Sequence, residues 1–344
     1  MIKELSVLYI GSLDKRSNSF RRYKALLELC PKTKAINTDP YILNKYLISV
    51  QHHFNIGPGI YLLNKRIRKA ATQNKYDIFL VDNKPYVALK TLRHIKQQQP
   101  DTRIVDLLTD DPFGRFAKSW HLLKSTAKLY DIFFVQRQVN IEELKNIGVK
   151  NVEVCYRSYD PEYNRPIHLN SIDLKNHYTK VSFVGSYEDV RASFIAYLIQ
   201  NGIPVTVTGA GWENQQYWEV IKPFYKAPFV YGDDYIKALC GMDICLHFLR
   251  HANRDEQDSR TFEIPSCGVF MLAEKSSAHL SLFEDRKEAV FFETKEELLQ
   301  QVNYYLAHAD ERKSIALAGL QRCKTSGYSH KDRLQNVVNT IMDL

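Results

Sequence analysis

The sequence predicts an α/β protein built from two doubly wound, Rossmann-like domains in tandem, and three observations predict it. At 344 residues the chain exceeds what one ordinary hydrophobic core organises. Short apolar runs alternate with longer helix-periodic stretches, and the alternation occurs twice. Between the two series, 158–178 carries Pro161 and Pro166 and has no periodicity. The expected domains are therefore 1–160 and 161–344, facing each other across a cleft, with the last helix packing back on the first domain.

In the first domain the strand candidates are Leu5–Ile10, Ile78–Val81, Ile104–Leu108, Ile132–Val135 and Val152–Cys155. Most are continuously apolar, as strands covered on both faces should be. Helical patterns over Phe20–Cys30 and Val87–Gln98 lie between them, too long for hairpins, which argues for parallel pairing. Asp111 as N-cap and Pro112 at the first helical position predict a helix to about Thr126. The second domain repeats the rhythm with Val181–Val184, Val205–Val207, Ile244–Phe248, Val269–Ala273 and Val290–Phe292. Ser186 and Asp189 have capping-box spacing, and Ser259-Arg260-Thr261 opens a short helix ended by Pro265 and Gly268. Thr294 with Glu297 opens a helix with Leu298, Val302, Tyr305 and Leu306 on one face.

Open α/β sheets bind ligands at the carboxyl ends of their strands, so the loops there hold the candidate chemistry. The loop and helix from Leu249 to Gly268 combine free helix-start amides, hydroxyls and the Arg260 guanidinium, a set that suits a phosphate or diphosphate. Asp255 and Glu263, eight positions apart, can reach different parts of one ligand; the alternative is a surface loop with a helix cap and ordinary ion pairs. Gly185-Ser186, with Arg191 one turn later, offers a second phosphate approach or simply a capped helix. After the strand Ile104–Leu108, Asp110 and Asp111 place two carboxylates at the mouth of the cleft. Either would orient or deprotonate an acceptor hydroxyl, if not used as a cap. Gly11-Ser12 and Arg21-Arg22 follow the first strand on the same side. Trp212 and Tyr231-Gly232 either flank a base or sugar or pack. His247 reads as a core histidine, and Cys240 and Cys245 read as buried and inert.

The segment Asn253-Arg254-Asp255, followed by Arg260-Thr261-Phe262-Glu263-Ile264-Pro265-Ser266-Cys267-Gly268, resembles the signature of CgeB-like (spore-maturation-type) glycosyltransferases. These belong to the two-Rossmann-domain, nucleotide-sugar-dependent class with the GT-B fold. Phe183 to Arg191, Gly209-Ala210-Gly211-Trp212, Tyr231 to Tyr235, Ala289 to Phe292 and Tyr328 to Arg333 are similar in the same order. The resemblance covers most of the second half; the first half matches in layout more than in motif. It implies a donor site in the second domain, with Glu263 on the ribose and Gly185, Ser186, Arg191, Arg254, Arg260 and Thr261 around the diphosphate. The catalytic candidates are Asp110 and Asp111, from their place after the strand, and Asp255, from the resemblance; Asp255 stands where the family usually has Glu. Neither a cofactor nor a metal is expected, since helix amides and arginines can stabilise the leaving diphosphate.

Charge is divided unevenly. Residues 1–160 contain 27 Lys/Arg and 15 Asp/Glu, a balance of +12, whereas the whole chain carries +8. Lys65-Arg66-Ile67-Arg68-Lys69 beside Ile60-Tyr61-Leu62-Leu63 has the makeup of an interfacial helix. The expected partners are a nucleotide sugar, a glycan or lipid-linked acceptor of the cell envelope, and peripheral contact with anionic membrane; a solvated basic surface is the alternative. No nucleic-acid module with aromatic interleaving is visible, so nucleic acid is not expected. Scattered cysteines without a C-x-x-C pair, no apolar run of spanning length and no signal-peptide layout make a reduced cytoplasm the expected location, including the inner face of the membrane. Two rival functions share the architecture: a nucleotide-sugar epimerase and a non-catalytic nucleotide- or sugar-binding protein.

Overall fold

The computed structural model describes residues 2–42, 54–84, 86–115 and 117–344. It divides into two compact units. The first comprises Met1–Arg157, His251–Asp255 and His330–Leu344; the second comprises Ser158–Arg250 and Glu256–Ser329.

The first unit is built on a six-stranded parallel sheet of β1 (Val7–Gly11), β2 (Lys34–Asn37), β3 (Ile78–Asp82), β4 (Arg103–Leu108), β5 (Ile132–Val135) and β6 (Val152–Val154), in the order β2-β1-β3-β4-β5-β6. Its principal helices are α1 (Asn18–Leu29), α2 (Pro58–Gln73), α3 (Leu89–Gln98), α4 (Val139–Asn146) and, from the end of the chain, α10 (His330–Met342). β1 and β3 are buried along their whole length, so alternate side chains fill two cores. Leu8, Ile10, Phe79 and Val81 pack with Leu63 and Ile67 of α2. Val7, Tyr9, Ile78 and Leu80 pack with Leu26 of α1 and with Leu334, Val337 and Val338 of α10. The Ser17 hydroxyl accepts from the Phe20 amide at 3.1 Å and starts α1.

The second unit holds β7 (Thr179–Val184), β8 (Thr206–Thr208), β9 (Tyr225–Ala227), β10 (Met242–His247), β11 (Met271–Glu274) and β12 (Val290–Phe292), again all parallel, in the order β12-β11-β10-β7-β8-β9. Around them run α5 (Asp189–Gln200), α6 (Asp233–Cys240), α7 (Ser259–Ser266), α8 (Lys295–Ala307) and α9 (Ala309–Thr325). This order has the dinucleotide-binding arrangement, and its topological switch lies between the neighbours β7 and β10. The Thr294 cap is present: its hydroxyl accepts from the Glu297 amide at 3.1 Å, and Leu298, Val302 and Tyr305 are buried.

Three local expectations are corrected. The strands β2 and β9 had no signal, because each is a short edge strand with a mixed polar sequence, Lys-Ala-Ile-Asn and Tyr-Lys-Ala. No helix begins at Pro112. The Asp111 carboxylate accepts from the Phe113 amide at 2.9 Å in a local turn, and helical structure starts only at Ala117. Ser186 does not cap α5; Glu188 holds the N-cap position, without a side-chain cap bond.

Candidate functional site

In the second unit the loops at the carboxyl ends of β7 and β10 are joined by Arg191. Its guanidinium donates to the Ser186 carbonyl at 3.1 Å and to the Leu249 carbonyl at 2.9 Å, and lies 3.6 Å from the Glu188 carboxylate. The side chain is only 6% exposed and stacks near Phe183. Gly185 sits where the chain has no room: its amide donates to Thr208 O and its carbonyl accepts from the Trp212 indole at 2.9 Å. A Cβ on Gly209 (φ 152°) would lie 1.8 Å from that same carbonyl, so the Gly-Ala-Gly-Trp stretch is dictated by close backbone approach. Trp212 is core, packed edge-on against Phe183 and Tyr187.

α7 begins at the Asp258 cap, whose carboxylate accepts from the Arg260 amide at 2.7 Å. Glu263, one turn later, is 7% exposed and accepts from the Tyr235 hydroxyl of α6 at 2.6 Å. Burial, followed by the Glu263 charge, raises the Tyr235 phenol well above its ordinary pKa, so it remains a donor. Arg260 is partly exposed, lies within electrostatic reach of Arg191, and shares the Asp258 field with it. Both arginines keep a buried Nε without a hydrogen-bond partner. Two guanidinium groups within electrostatic reach of each other, with a positioned carboxylate beside one of them, have the chemistry to hold an anion next to a hydrogen-bond acceptor.

Thr261 does not belong to that site. It is fully buried, and its hydroxyl meets the Asp258 amide at 3.1 Å, His247 Nε2 at 3.1 Å and His279 Nε2 at 2.9 Å. The network settles the protons. His279 Nδ1 must donate to the Glu274 carbonyl at 2.7 Å, so its Nε2 accepts from Thr261; the Thr261 oxygen then accepts from His247 Nε2–H and the Asp258 amide. Burial lowers the pKa of His247 to about 3 and that of His279 to about 4, which keeps both rings neutral. His247 is thus a core histidine.

The segment 251–255 folds into the first unit. Arg254, in the left-handed region at φ 49°, donates to both Asp111 oxygens, at 2.6 and 2.8 Å, and to both Glu143 oxygens, at 2.9 and 2.8 Å. Asp111 also accepts from Asn140 at 3.0 Å. Burial alone would raise the Asp111 pKa, but the Arg254 bonds, the Phe113 amide and Asn140 outweigh it and hold the carboxyl below its usual range. Arg137, 2% exposed, donates to the Asn253 carbonyl at 2.6 Å and pairs with Asp255. Three site expectations change accordingly. Arg254 is a clamp on Asp111 and Glu143, and Asp111 is an encumbered carboxylate held below its usual range and hence a poor base. Asp255, expected as catalytic, is an 8%-exposed ion-pair partner of Arg137.

Asp110 differs from its neighbour. The Asn83 side chain (φ 54°) accepts from the Thr109 and Asp110 amides at 3.0 and 2.9 Å and donates to Asp110 Oδ2 at 2.7 Å. The other Asp110 oxygen lies 3.8 Å from Arg157, and half the side chain is exposed. Asp110 is therefore oriented yet accessible. Tyr235, Asn83, Arg137 and Arg157 had not been singled out. Asn83, Arg137 and Arg157 follow strands β3, β5 and β6, so the strand-end rule could have found them; Tyr235 lay inside a quoted motif.

The fold and the second-unit site define a class: two tandem Rossmann-like units of the GT-B type. Residues 191–339 match the family described as glycosyl transferase-like, a stretch that contains Arg191, Arg260 and Glu263. Among solved structures, the chain is similar to HepE of Anabaena in complex with UDP-glucose, at 13% identity and a TM-score of 0.63, covering 99% of this chain and 100% of that one. It is also similar to a glycosyltransferase from Rickettsia africae (12% identity, TM-score 0.66, 99% and 98% covered). A third is sucrose-phosphate synthase from Thermosynechococcus elongatus (10%, 0.66, 98% and 99%). No curated protein matches the sequence.

Proposed function

We infer that this protein is a glycosyltransferase that moves a sugar from a nucleoside-diphosphate sugar to an acceptor. The observation that carries the reading is that Arg191 and Arg260, each with an unpartnered buried Nε, lie within electrostatic reach of each other, with the Tyr235-held Glu263 one turn along α7, all within the stretch that matches the glycosyl transferase-like family. The arginines and the start of α7 take the diphosphate, and Glu263 takes a ribose hydroxyl. Neutralising the departing diphosphate lowers the barrier, and no metal takes part. UDP-sugars are the first donors to test, because the HepE structures hold UDP and UDP-glucose.

The acceptor role falls to the first unit, with Asp110 as the group that orients or deprotonates its hydroxyl. The basic balance of residues 1–160 favours an anionic or membrane-surface acceptor, such as a lipid-linked or cell-envelope glycan. The outer face of α2 supports this: Tyr61 and Leu62 are exposed beside exposed Lys65, Arg66 and Lys69. Among the described residues no helix is long and apolar enough to cross a membrane, so contact through α2 would be peripheral.

The test is nucleotide-sugar binding and turnover by wild type, Arg260→Ala and Glu263→Gln across a donor panel. Loss of the charge-assisted contacts is expected to weaken donor binding by about 10-fold or more. Unchanged affinity for every donor would remove the site. Nucleotide release that requires an acceptor and survives a chelator supports the transferase. Donor conversion without acceptor would instead identify an epimerase, and binding without consumption a binding protein.

A further inference from the structure

Cys240 ends α6, and Cys267 follows α7 as its cap. The Cys240 thiol reaches two carbonyl oxygens, those of Arg165 and Cys267, each at 3.8 Å, which sets it beside Cys267. Both line a cavity of 330 Å³ together with Pro166, Met242, Asp243 and Arg312. That is room for several water molecules, and so for a small oxidant. Cys240 is partly exposed, which corrects its expected burial, whereas Cys267 is 3% exposed. The Cys267 thiol, the Ile167 amide and the Arg165 charge hold the Cys240 thiol below its ordinary range against the effect of burial. Cys267 is pushed well above it, first by the neighbouring Cys240 and then by burial. The other buried thiols are inert by comparison: burial pushes Cys30 up to about 11 and Cys245 up to about 12. A partly exposed cysteine beside a buried one, both lining one cavity, is the arrangement of a peroxide-reactive cysteine with its resolving partner.

We propose that Cys240 and Cys267 form an oxidant-sensing pair that closes to a disulfide in the presence of hydrogen peroxide and thereby alters the donor site. The Cys240 thiolate attacks one peroxide oxygen; the O–O bond breaks, hydroxide leaves and is protonated to water, and Cys240 becomes a sulfenic acid. Cys267 then loses its proton and attacks the Cys240 sulfur. The S–O bond breaks, and the departing hydroxide takes that proton as water. Two thiols lose two electrons in total, and one peroxide is reduced to two waters. The cross-link would lie about one helical turn beyond Tyr235 on α6 and beyond Glu263 on α7, tying together the two helices whose side chains share the 2.6 Å hydrogen bond. Only this coupling rests on the donor reading above.

The test uses the full reduced chain titrated with hydrogen peroxide. A Cys240–Cys267 linked peptide is expected by mass spectrometry, with loss of two of the six thiols and reversal by dithiothreitol. Cys240→Ser should form no link, and Cys267→Ser should accumulate a Cys240 sulfenic acid that dimedone traps. UDP-sugar affinity of the wild type should change several-fold on oxidation and that of Cys240→Ser should not. Absence of the linked peptide from protein that remains folded by circular dichroism would overturn the proposal. A linked peptide with unchanged donor affinity would overturn the coupling. A reduced protein that binds no nucleotide sugar would instead sink the donor reading and leave the thiol pair standing.

Discussion

Residues 251–255 and 259–266 are separated by three residues in the chain, yet they are held by different physics. The earlier segment is a single 3-10 turn (His251–Asn253) and the two residues after it, pinned to the first unit by charge: Arg254 on Asp111 and Glu143, Arg137 on Asp255. The later one is a capped helix of the second unit, fixed from beneath by the neutral hydrogen bonds among Thr261, His247 and His279. Read as one linear motif they suggest a single ligand site. Folded, the first segment uses its charges on its own unit, and only the second keeps charge available in Arg260. A run of charged residues near a helix start therefore says nothing by itself about which of them faces a ligand; the partners decide.

The comparison breaks most sharply at Arg254. Arg254→Ala removes the partner of an Asp111 side chain that is 0% exposed, and is expected to destabilise the first unit by about 3 kcal/mol. Denaturant unfolding checks the magnitude, and hydrogen exchange shows whether the loss is confined to that unit. In a double-mutant cycle, Asp111→Asn should recover part of the loss; strict additivity would show that the pair is not coupled.

Acid separates the two segments next. The folded-state pKa values of His247 and His279 lie below the unfolded value, so the unfolded chain binds more protons and stability falls as pH drops below about 6.5. At pH 5.5 each ring is expected to remove on the order of 1 kcal/mol from the second unit. Asp111 is also depressed, but its contribution is present above the ordinary carboxyl pKa of 3.8 and is lost only as pH falls through its lower folded value. Burial also lowers His330 of the first unit well below its ordinary pKa, so hydrogen exchange at pH 7.5 and 5.5 should show both units loosening, the second with its two rings more than the first; an unchanged second unit would contradict the neutral-histidine network.

The smallest stability effect belongs to the exposed basic face of α2. Lys65→Glu with Arg66→Glu and Lys69→Glu should change unfolding by about 0.5 kcal/mol or less, yet markedly weaken binding to vesicles containing anionic lipid. Unchanged vesicle binding would leave α2 as a solvated surface.

The buried strands were legible because continuous apolar runs such as Ile-Phe-Leu-Val and Ile-Phe-Phe-Val have few other places to go. The edge strands β2 and β9 were not, because half-exposed positions carry no apolar demand. In the candidate site, the placing of Arg260 and Glu263 on a short helix after a strand was legible from helix start and spacing. The fate of Asp111 was not, since its partner Arg254 stands 143 positions away, and Asn140 shares the same carboxylate. Likewise nothing local shows that the Thr261 hydroxyl is committed to two imidazoles, or that Cys240 meets Cys267.

By itself, then, the order of amino acids determined the two α/β units, the approximate positions of most of their strands and the loops in which chemistry is placed. Hydrophobic periodicity and capping act over a few residues and can be seen there. Only the tertiary structure decided which side chains in those loops are committed and which remain available. Ion pairs, hydrogen-bond saturation and thiol contact are made by groups that the fold brings together from distant parts of the chain.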